Sequence, residues 1–287
     1  MSVIKVKTPA KINLTLEMVG LLENGYHSIK SIMSTINLYD FLTFEITNVN
    51  TKLNDIYLSG NNPQIPYNSE NLVYKVIELF FEKTKISGKK IKVNIEKHIP
   101  VEAGLAGGSS NAAGTLLALN KFFNEPLENK ELNEICAKLG SDLNFCLVGG
   151  CCICENRGEK ITLLKPLNLG ITLIKPKNFG ISTKEAYKKF DDMKDKPVSA
   201  NSDKLKNIIN KGKFDKKLLI NHLEKAVIND YPILKKIKKQ TEAIMSGSGP
   251  TMFTLTNTID KTYNEDILVI DNLKTIDKGV EIVQMIF

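Results

Sequence analysis

The fifteen residues PVEAGLAGGSSNAAG, Pro100 to Gly114, hold four glycines and two serines, and TLLALNKFFN follows at once with a helical pattern. Flexible backbone placed directly before a regular element narrows what the segment can be. A helix starting at Ser109 or Ser110, both good N-caps, turns unpaired N–H groups and a positive dipole end toward the loop. Glycines there let the backbone approach an anion with no side chain in the way. The segment is then either a phosphate cradle or a structural turn. No Lys-Ser/Thr pair follows the glycines, so it is not a Walker loop, and the G-x-G-x-x-G spacing is missing too. Alone, the loop leaves both readings open.

Before the loop, VIKVKTPAKINLTLEMV and LYDFLTFEIT alternate as strands, with Asn24-Gly25 between them as a hairpin signal. ENLVYKVIELFFEKTK has the apolar spacing of an amphipathic helix, and KIKVNIEKHIP reads as a strand. After it, NKELNEICAKLGSD predicts a helix ending near Gly140, and FCLVGGCCICENRGEKITLL a strand hairpin. Beyond residue 160 come a strand (LGITLIKPK), a short helix (STKEAYKKFDD) and a polar loop (DMKDKPVSANSD). DKKLLINHLEKAVINDYPILKKIKKQTEA reads as helix, broken or restarted at Pro232. IMSGSGPTMFTLT is a turn entering a strand, and the remainder alternates helix and strand. Elements mixed without regular alternation predict an α+β fold. The change of pattern divides the chain into residues 1–160 and 161–287.

At 287 residues and 42% hydrophobic the chain can build a substantial core. No apolar run approaches the roughly 20 residues of a membrane span, and MSVIKVKTPAKINL lacks the three regions of a signal peptide. The expectation is a cytoplasmic protein. Its net charge of +7 is carried by scattered lysines, either a solvated surface or an attraction for an anionic substrate. No arginine-rich or aromatic-interleaved basic stretch calls for nucleic acid. The five cysteines, Cys136, Cys146, Cys151, Cys152 and Cys154, are odd in number and lack zinc-ligand spacing. They read as small buried hydrophobes, and no metal site is expected.

Three further segments carry chemistry. In TPAKINLTLEM, strand alternation turns Ile12, Leu14 and Leu16 to the core and puts Lys11, Asn13 and Thr15 on the other face. Lys11 is then either a solvent-facing lysine or a positioned ammonium. In LGSDLNFCLVGG, Asp142 follows a helix end, as a turn residue or as a base at the rim of a site. MSGSGPTMF is a glycine turn between helix and strand.

In this order, PAKINL, PVEAGLAGGSSNAA and SGSGPTMF resemble the three motifs of the GHMP kinases, the superfamily of galactokinase and of homoserine, mevalonate and phosphomevalonate kinases. NGYHSI, and LGSDLNF followed by GGCCICENRGEKI, are similar to the branch that acts on a cytidine diphosphate derivative of methylerythritol. The resemblance runs over nearly all 287 residues. It implies an N-terminal ribosomal-protein-S5-like domain, a C-terminal ferredoxin-like domain and an active site in the cleft between them. It implies transfer of the γ-phosphoryl of ATP to the 2-hydroxyl of the erythritol portion, a step of the non-mevalonate route to isoprenoids. Mg²⁺ travels with the nucleotide. The partner is the small-molecule substrate, with no nucleic acid or membrane, in a monomer or weak homodimer.

Residue by residue, the resemblance makes Asp142 the catalytic aspartate and Lys11 the catalytic lysine. A cation beside a carboxylate favours its charged form, and positioning with charge stabilisation supplies most catalysis in phosphoryl transfer. Pro100, Val101, Glu102, Ala103, Gly104, Leu105, Ala106, Gly107, Gly108, Ser109 and Ser110 match the ATP loop, and Asn71 lines the adenine side. Tyr26 and His27 match a cytosine pocket, with Tyr187 as the opposite stacking face. Asn13 and Thr183 contact substrate, and Gly247, Ser248 and Gly249 form the third motif. His98 and His222 match nothing catalytic and read as structural. Ala106 stands where many relatives carry glycine, and its small methyl is expected to be tolerated. Glu102 is expected to point to solvent. Asn111 stands where some relatives carry Asp and spares the phosphates a like charge. The competing readings are a homoserine- or mevalonate-type kinase and a noncatalytic S5-like protein that binds a ligand or RNA.

Overall fold

The computed structural model describes residues 1–23, 25–177, 179–255 and 266–287; Asn24, half of the hairpin signal, lies outside them. Strands β1 (Ser2–Leu21) and β2 (His27–Asn48) form one long antiparallel hairpin. Different strands flank its two halves. Toward the open end, β2 pairs with β4 (Lys89–Glu96), which in turn pairs with β3 (Asp55–Gly60). Helices α1 (Leu72–Thr84), α2 (Gly107–Phe122) and α3 (Asn129–Leu139) cover this half. Their apolar faces meet the sheet in a core that includes Phe44, Ile77, Phe80, Ile91 and Leu116. Toward the turn, β2 pairs with β5 (Cys151–Asn156), which hairpins into β6 (Lys160–Leu163). Helix α4 (Ser141–Val148) precedes β5.

The rest of the chain adds β7 (Gly170–Pro176), α5 (Thr183–Asp191), α6 (Asn201–Asn210), β8 (Ile220–Asn221), α7 (His222–Val227) and α8 (Pro232–Thr241). It continues with β9 (Ile244–Met245), β10 (Met252–Thr254), β11 (Ile267–Ile276) and β12 (Glu281–Ile286). The backbone of the sheet runs β12-β1-β2-β11-β7-β10-β9. β11 joins the two parts, pairing with β7 along most of its length and with Thr35–Ile36 of β2 at its end. β12 returns to the free side of β1, opposite residues 3–7.

The α+β mixture is as the sequence predicts, and Pro232 does restart a helix, at its first position. Four local expectations change. FCLV is the body of helix α4 and not a strand, because a short run apolar at every position has no period to separate the two. Helix α2 begins at Gly107, ahead of both serines. The run before Pro232 is broken by β8 into short pieces. The two described elements after residue 266 are both strands. On β1, Ile12 and Leu14 are buried as expected, but the opposite face is buried too: Lys11, Asn13 and Thr15 are 3%, 1% and 0% exposed. All five cysteines are free and buried. Burial pushes the thiols of Cys136, Cys151 and Cys152 up to about 12, which keeps them protonated and inert. Among the described residues, no helix is long and apolar enough to cross a membrane.

Candidate active site

A buried lysine needs partners to stay charged. Lys11 sits mid-strand, and its ammonium donates to Asn13 Oδ1 at 2.7 Å. Asn13 Nδ2 donates in turn to Ser31 Oγ at 2.9 Å, across the hairpin. The side chain is thus held from below by its own strand and the next. Above it, Asp142 Oδ2 lies 3.4 Å from Lys11 Nζ. Asp142 stands in the first turn of α4, where the helix dipole favours a carboxylate. The lysine side chain is 3% exposed and the aspartate 32%, so the cation is fixed while the carboxylate faces the space a ligand would enter. Tyr187, on α5, borders the pair. Burial, and secondarily the charge on Asp142, push its phenol up to about 12, so it is a neutral donor at physiological pH. Cys146 lies beneath, its thiol raised by burial first and by Asp142 next.

The glycine loop is laid over this pair by its small residues. Ala103 and Leu105 are buried in the core below the loop, with Ile12, Leu14 and Phe253. The Lys11 N–H donates to the Leu105 carbonyl at 3.1 Å. Gly104 has φ +72°, and a Cβ there would stand 2.0 Å from the Ser246 carbonyl oxygen. Loop and third-motif turn are therefore in backbone contact, and Ser246 Oγ closes it with a bond to the Gly104 carbonyl at 3.0 Å. The turn itself is tied down by Asn221, whose Nδ2 donates to the carbonyls of Met245 and Gly247 at 2.7 and 2.8 Å. A Cβ on Gly247 would come within 3.2 Å of Lys11 Nζ. Thr183, opening α5, reaches the same turn, Oγ1 to Ser248 Oγ at 3.1 Å. Gly104→Ala forces this junction apart and places a side chain at left-handed φ. It is expected to lower Tm by several degrees and raise KM for ATP by roughly tenfold. A variant melting and titrating like the parent would show that the contact is unimportant.

Helix α2 starts with Ala106 as its cap residue at φ +56°. The expected tolerance of its methyl considered size alone, whereas left-handed backbone costs a non-glycine residue about 1 kcal/mol. Ser110 does not cap the helix, since its hydroxyl donates to the Pro9 carbonyl at 2.7 Å. The first helical bond runs from the Ser110 N–H to the Ala106 carbonyl, which leaves the N–H groups of Gly107, Gly108 and Ser109 ahead of the ladder. Gly108 is exposed, with only Leu72 near its missing Cβ, at 3.9 Å. That is open backbone of the kind an anion needs. Asn71, beside Leu72, uses its side chain as the cap of α1, accepting from Val73 N and donating to the Pro66 carbonyl. Glu102 is exposed and turns its Oε2 toward Gly180, and its charge acts on Lys175.

One buried carboxylate that the sequence did not single out holds both ends of this loop. Asp40 Oδ1 accepts the N–H groups of His98 and Ile99 at 2.7 and 2.8 Å, just before Pro100. Its Oδ2 pairs with Lys97 and accepts from Asn111 Nδ2, in α2, at 3.0 Å. Asn111 also donates to Thr8 Oγ1 at 2.8 Å. Asn111 therefore faces this buried cluster and not the open side of the loop; an aspartate there would oppose Asp40. Of the histidines, His98 pairs with Glu96 at the surface. His222 is buried between the Met18 N–H and Ser199 Oγ.

At the other end of the cleft, the ring of His27 meets Tyr187 at 4.9 Å between centroids, and His27 Nε2 lies 2.8 Å from Asp191 Oδ1. Tyr26 is 57% exposed and carries the guanidinium of Arg157 over its ring at 4.4 Å.

Residues 71–150 match the model of the GHMP kinases N terminal domain. The 4-diphosphocytidyl-2-C-methyl-D-erythritol kinase of Clostridium tetani is 42% identical over 259 residues, 87% of this chain and 89% of that protein. The kinase of the same name from Clostridium kluyveri is 37% identical over 98% of this chain and 99% of its own. The chain belongs to the 4-diphosphocytidyl-2-C-methyl-D-erythritol kinase family. Its fold agrees. A crystal structure titled 4-(cytidine 5'-diphospho)-2C-methyl-D-erythritol kinase superposes with a TM-score of 0.70 at 26% identity, covering 88% of this chain and 90% of that one. Homoserine kinase of Cytophaga hutchinsonii shares the fold at 18% identity and a TM-score of 0.74, over 98% and 97% of the two chains. In this member of the 4-diphosphocytidyl-2-C-methyl-D-erythritol kinase family, Lys11, Asn13, Asp142, Thr183, Tyr187, the glycine loop and the third-motif turn converge. His27 joins that group through Tyr187, Tyr26 is its chain neighbour, and Asn71 stands next to Leu72, which faces Gly108 at the α2 N-terminus. Asp40, Lys97 and Asn221 support the site without a motif of their own.

Proposed function

We propose that this kinase transfers the γ-phosphoryl of ATP to the 2-hydroxyl of 4-diphosphocytidyl-2-C-methyl-D-erythritol, with Asp142 taking the hydroxyl proton. The observation that carries the assignment of roles is the meeting of Lys11 and Asp142 at 3.4 Å, beside the third-motif turn that the glycine loop contacts. The carboxylate accepts the proton as the hydroxyl oxygen attacks; Lys11 holds the carboxylate and offsets charge on the transferring group. Gly107, Gly108 and Ser109 offer backbone N–H groups to the nucleotide phosphates. Asn13 orients Lys11, and Thr183 with Ser248 borders the acceptor. A single carboxylate suits Mg²⁺, which keeps waters and binds mainly through substrate phosphates. Asp142 is the residue that would touch it, and the ion would neutralise phosphate charge. Residues 1–160 supply the glycine loop, Lys11 and Asp142 together with Tyr26 and His27, and 161–287 add Thr183, Tyr187 and the third-motif turn, with β12 the exception that rejoins the first sheet. A kinase assay on the cytidylated methylerythritol, homoserine and mevalonate, with products identified by mass, tests the reading. Turnover confined to homoserine or mevalonate would replace it.

The cytosine is placed between Tyr26 and Tyr187, with His27 at its edge. Stacking on an aromatic ring contributes about 1–3 kcal/mol per base. Tyr26→Ala and Tyr187→Ala are each expected to raise KM for the cytidylated substrate roughly ten- to hundredfold, with KM for ATP nearly unchanged. Direct titration separates affinity from KM, and parent-like binding by both variants would remove the stacking pocket.

A further inference from the structure

Of the 39 basic residues counted as lysine plus arginine, one is an arginine, Arg157. A chain that otherwise uses lysine throughout has a planar guanidinium at one place, the turn between β5 and β6. Its guanidinium carbon sits 4.4 Å from the centroid of Tyr26. Its Nε is buried and has no hydrogen-bond partner among the described residues. Among the described residues no carboxylate lies within ion-pair distance of it, although Glu159 shares the turn. The next residue, Gly158, has φ +115°, and a Cβ there would stand 3.4 Å from the Ser141 carbonyl, at the first turn of α4. The turn therefore touches the Tyr26 end through Arg157 and leans through Gly158 on the segment that carries Asp142.

We propose that Arg157 is a substrate-positioning residue that binds the diphosphate linking the cytidine to the phosphorylated polyol. This rests on the kinase reading above. In that substrate a diphosphate must lie between a base near Tyr26 and a hydroxyl near Asp142. The other cations there are engaged: Lys11 with Asn13 and Asp142, Lys30 with Asp203, Lys189 with Asp230. Arg157 keeps donors unused. A guanidinium offers two parallel N–H groups to a phosphate and stacks flat on an aromatic face, whereas a lysine offers a point charge and does neither. Tyr26 thus acts as the platform that holds the fork in position.

Arg157→Met and Arg157→Lys, checked for parent-like melting, are titrated with CDP and with cytidine and assayed on the cytidylated methylerythritol. For Arg157→Met, CDP affinity is expected to fall roughly 10- to 100-fold, with KM for the substrate rising to match. Cytidine affinity should change far less, and KM for ATP should stay put. Arg157→Lys should recover only part of the loss. An unchanged CDP-to-cytidine preference in Arg157→Met overturns the proposal, as does full recovery by lysine. A parent protein that binds CDP in preference to cytidine but does not phosphorylate the cytidylated substrate would overturn the kinase reading and leave the arginine site standing.

Discussion

Asp142→Asn is expected to lower kcat by about 10²- to 10⁴-fold while ATP binds nearly as in the parent. The substitution keeps shape and removes the one proton acceptor placed against Lys11. The side chain is partly exposed and in the first turn of a helix, so lost dipole and ion-pair energy amounts to roughly 1 kcal/mol or less. The fold should survive, and a melting curve would show it. Single-turnover measurement with saturating substrate isolates the chemical step. A parent-like rate there would remove Asp142 from the general-base role, and a loss of ATP affinity in place of the loss of rate would make holding the nucleotide and its Mg²⁺ its main contribution.

Lys11→Met is expected to cost about 10²- to 10³-fold in kcat, the usual loss when one preorganised charge-stabilising donor is deleted. Methionine fills much of the same space, and Asp142 can turn to water. Arginine should not rescue, because the Lys11 side chain is 3% exposed and its ammonium is already held between Asn13 and Asp142, which leaves a longer forked group no room. If the two residues act as one unit, Lys11→Met combined with Asp142→Asn should lose little more than the worse single variant. Fully multiplicative losses would mean that each acts alone.

The pairing of these two residues was legible because a short strand pattern puts Lys11 and Asn13 on one face, and because the three motifs stand in a known order. The element carrying Asp142 was not, since FCLV is apolar throughout and buried helix and buried strand look alike there. Nor did Asp40 announce itself. In LYDFLTFEIT it is one polar residue in a strand, and its partners are backbone N–H groups 58 and 59 positions further on. Ala106 was judged by volume when its φ decides the matter. Arg157 did leave a trace, in composition and not in pattern: a lone arginine among lysines.

The return of β12 to β1 has a consequence for how the molecule is made. Lys11 stands on a strand synthesised long before the neighbour that covers residues 3–7, which emerges only after residue 280. During all the intervening synthesis one side of β1 keeps unpaired N–H and C=O groups, a template for the wrong strand. Nascent chains halted before residue 280 should therefore lean on chaperones and be protease-sensitive along the first sheet. Release of residues 281–286 should make that sheet resistant in a single step.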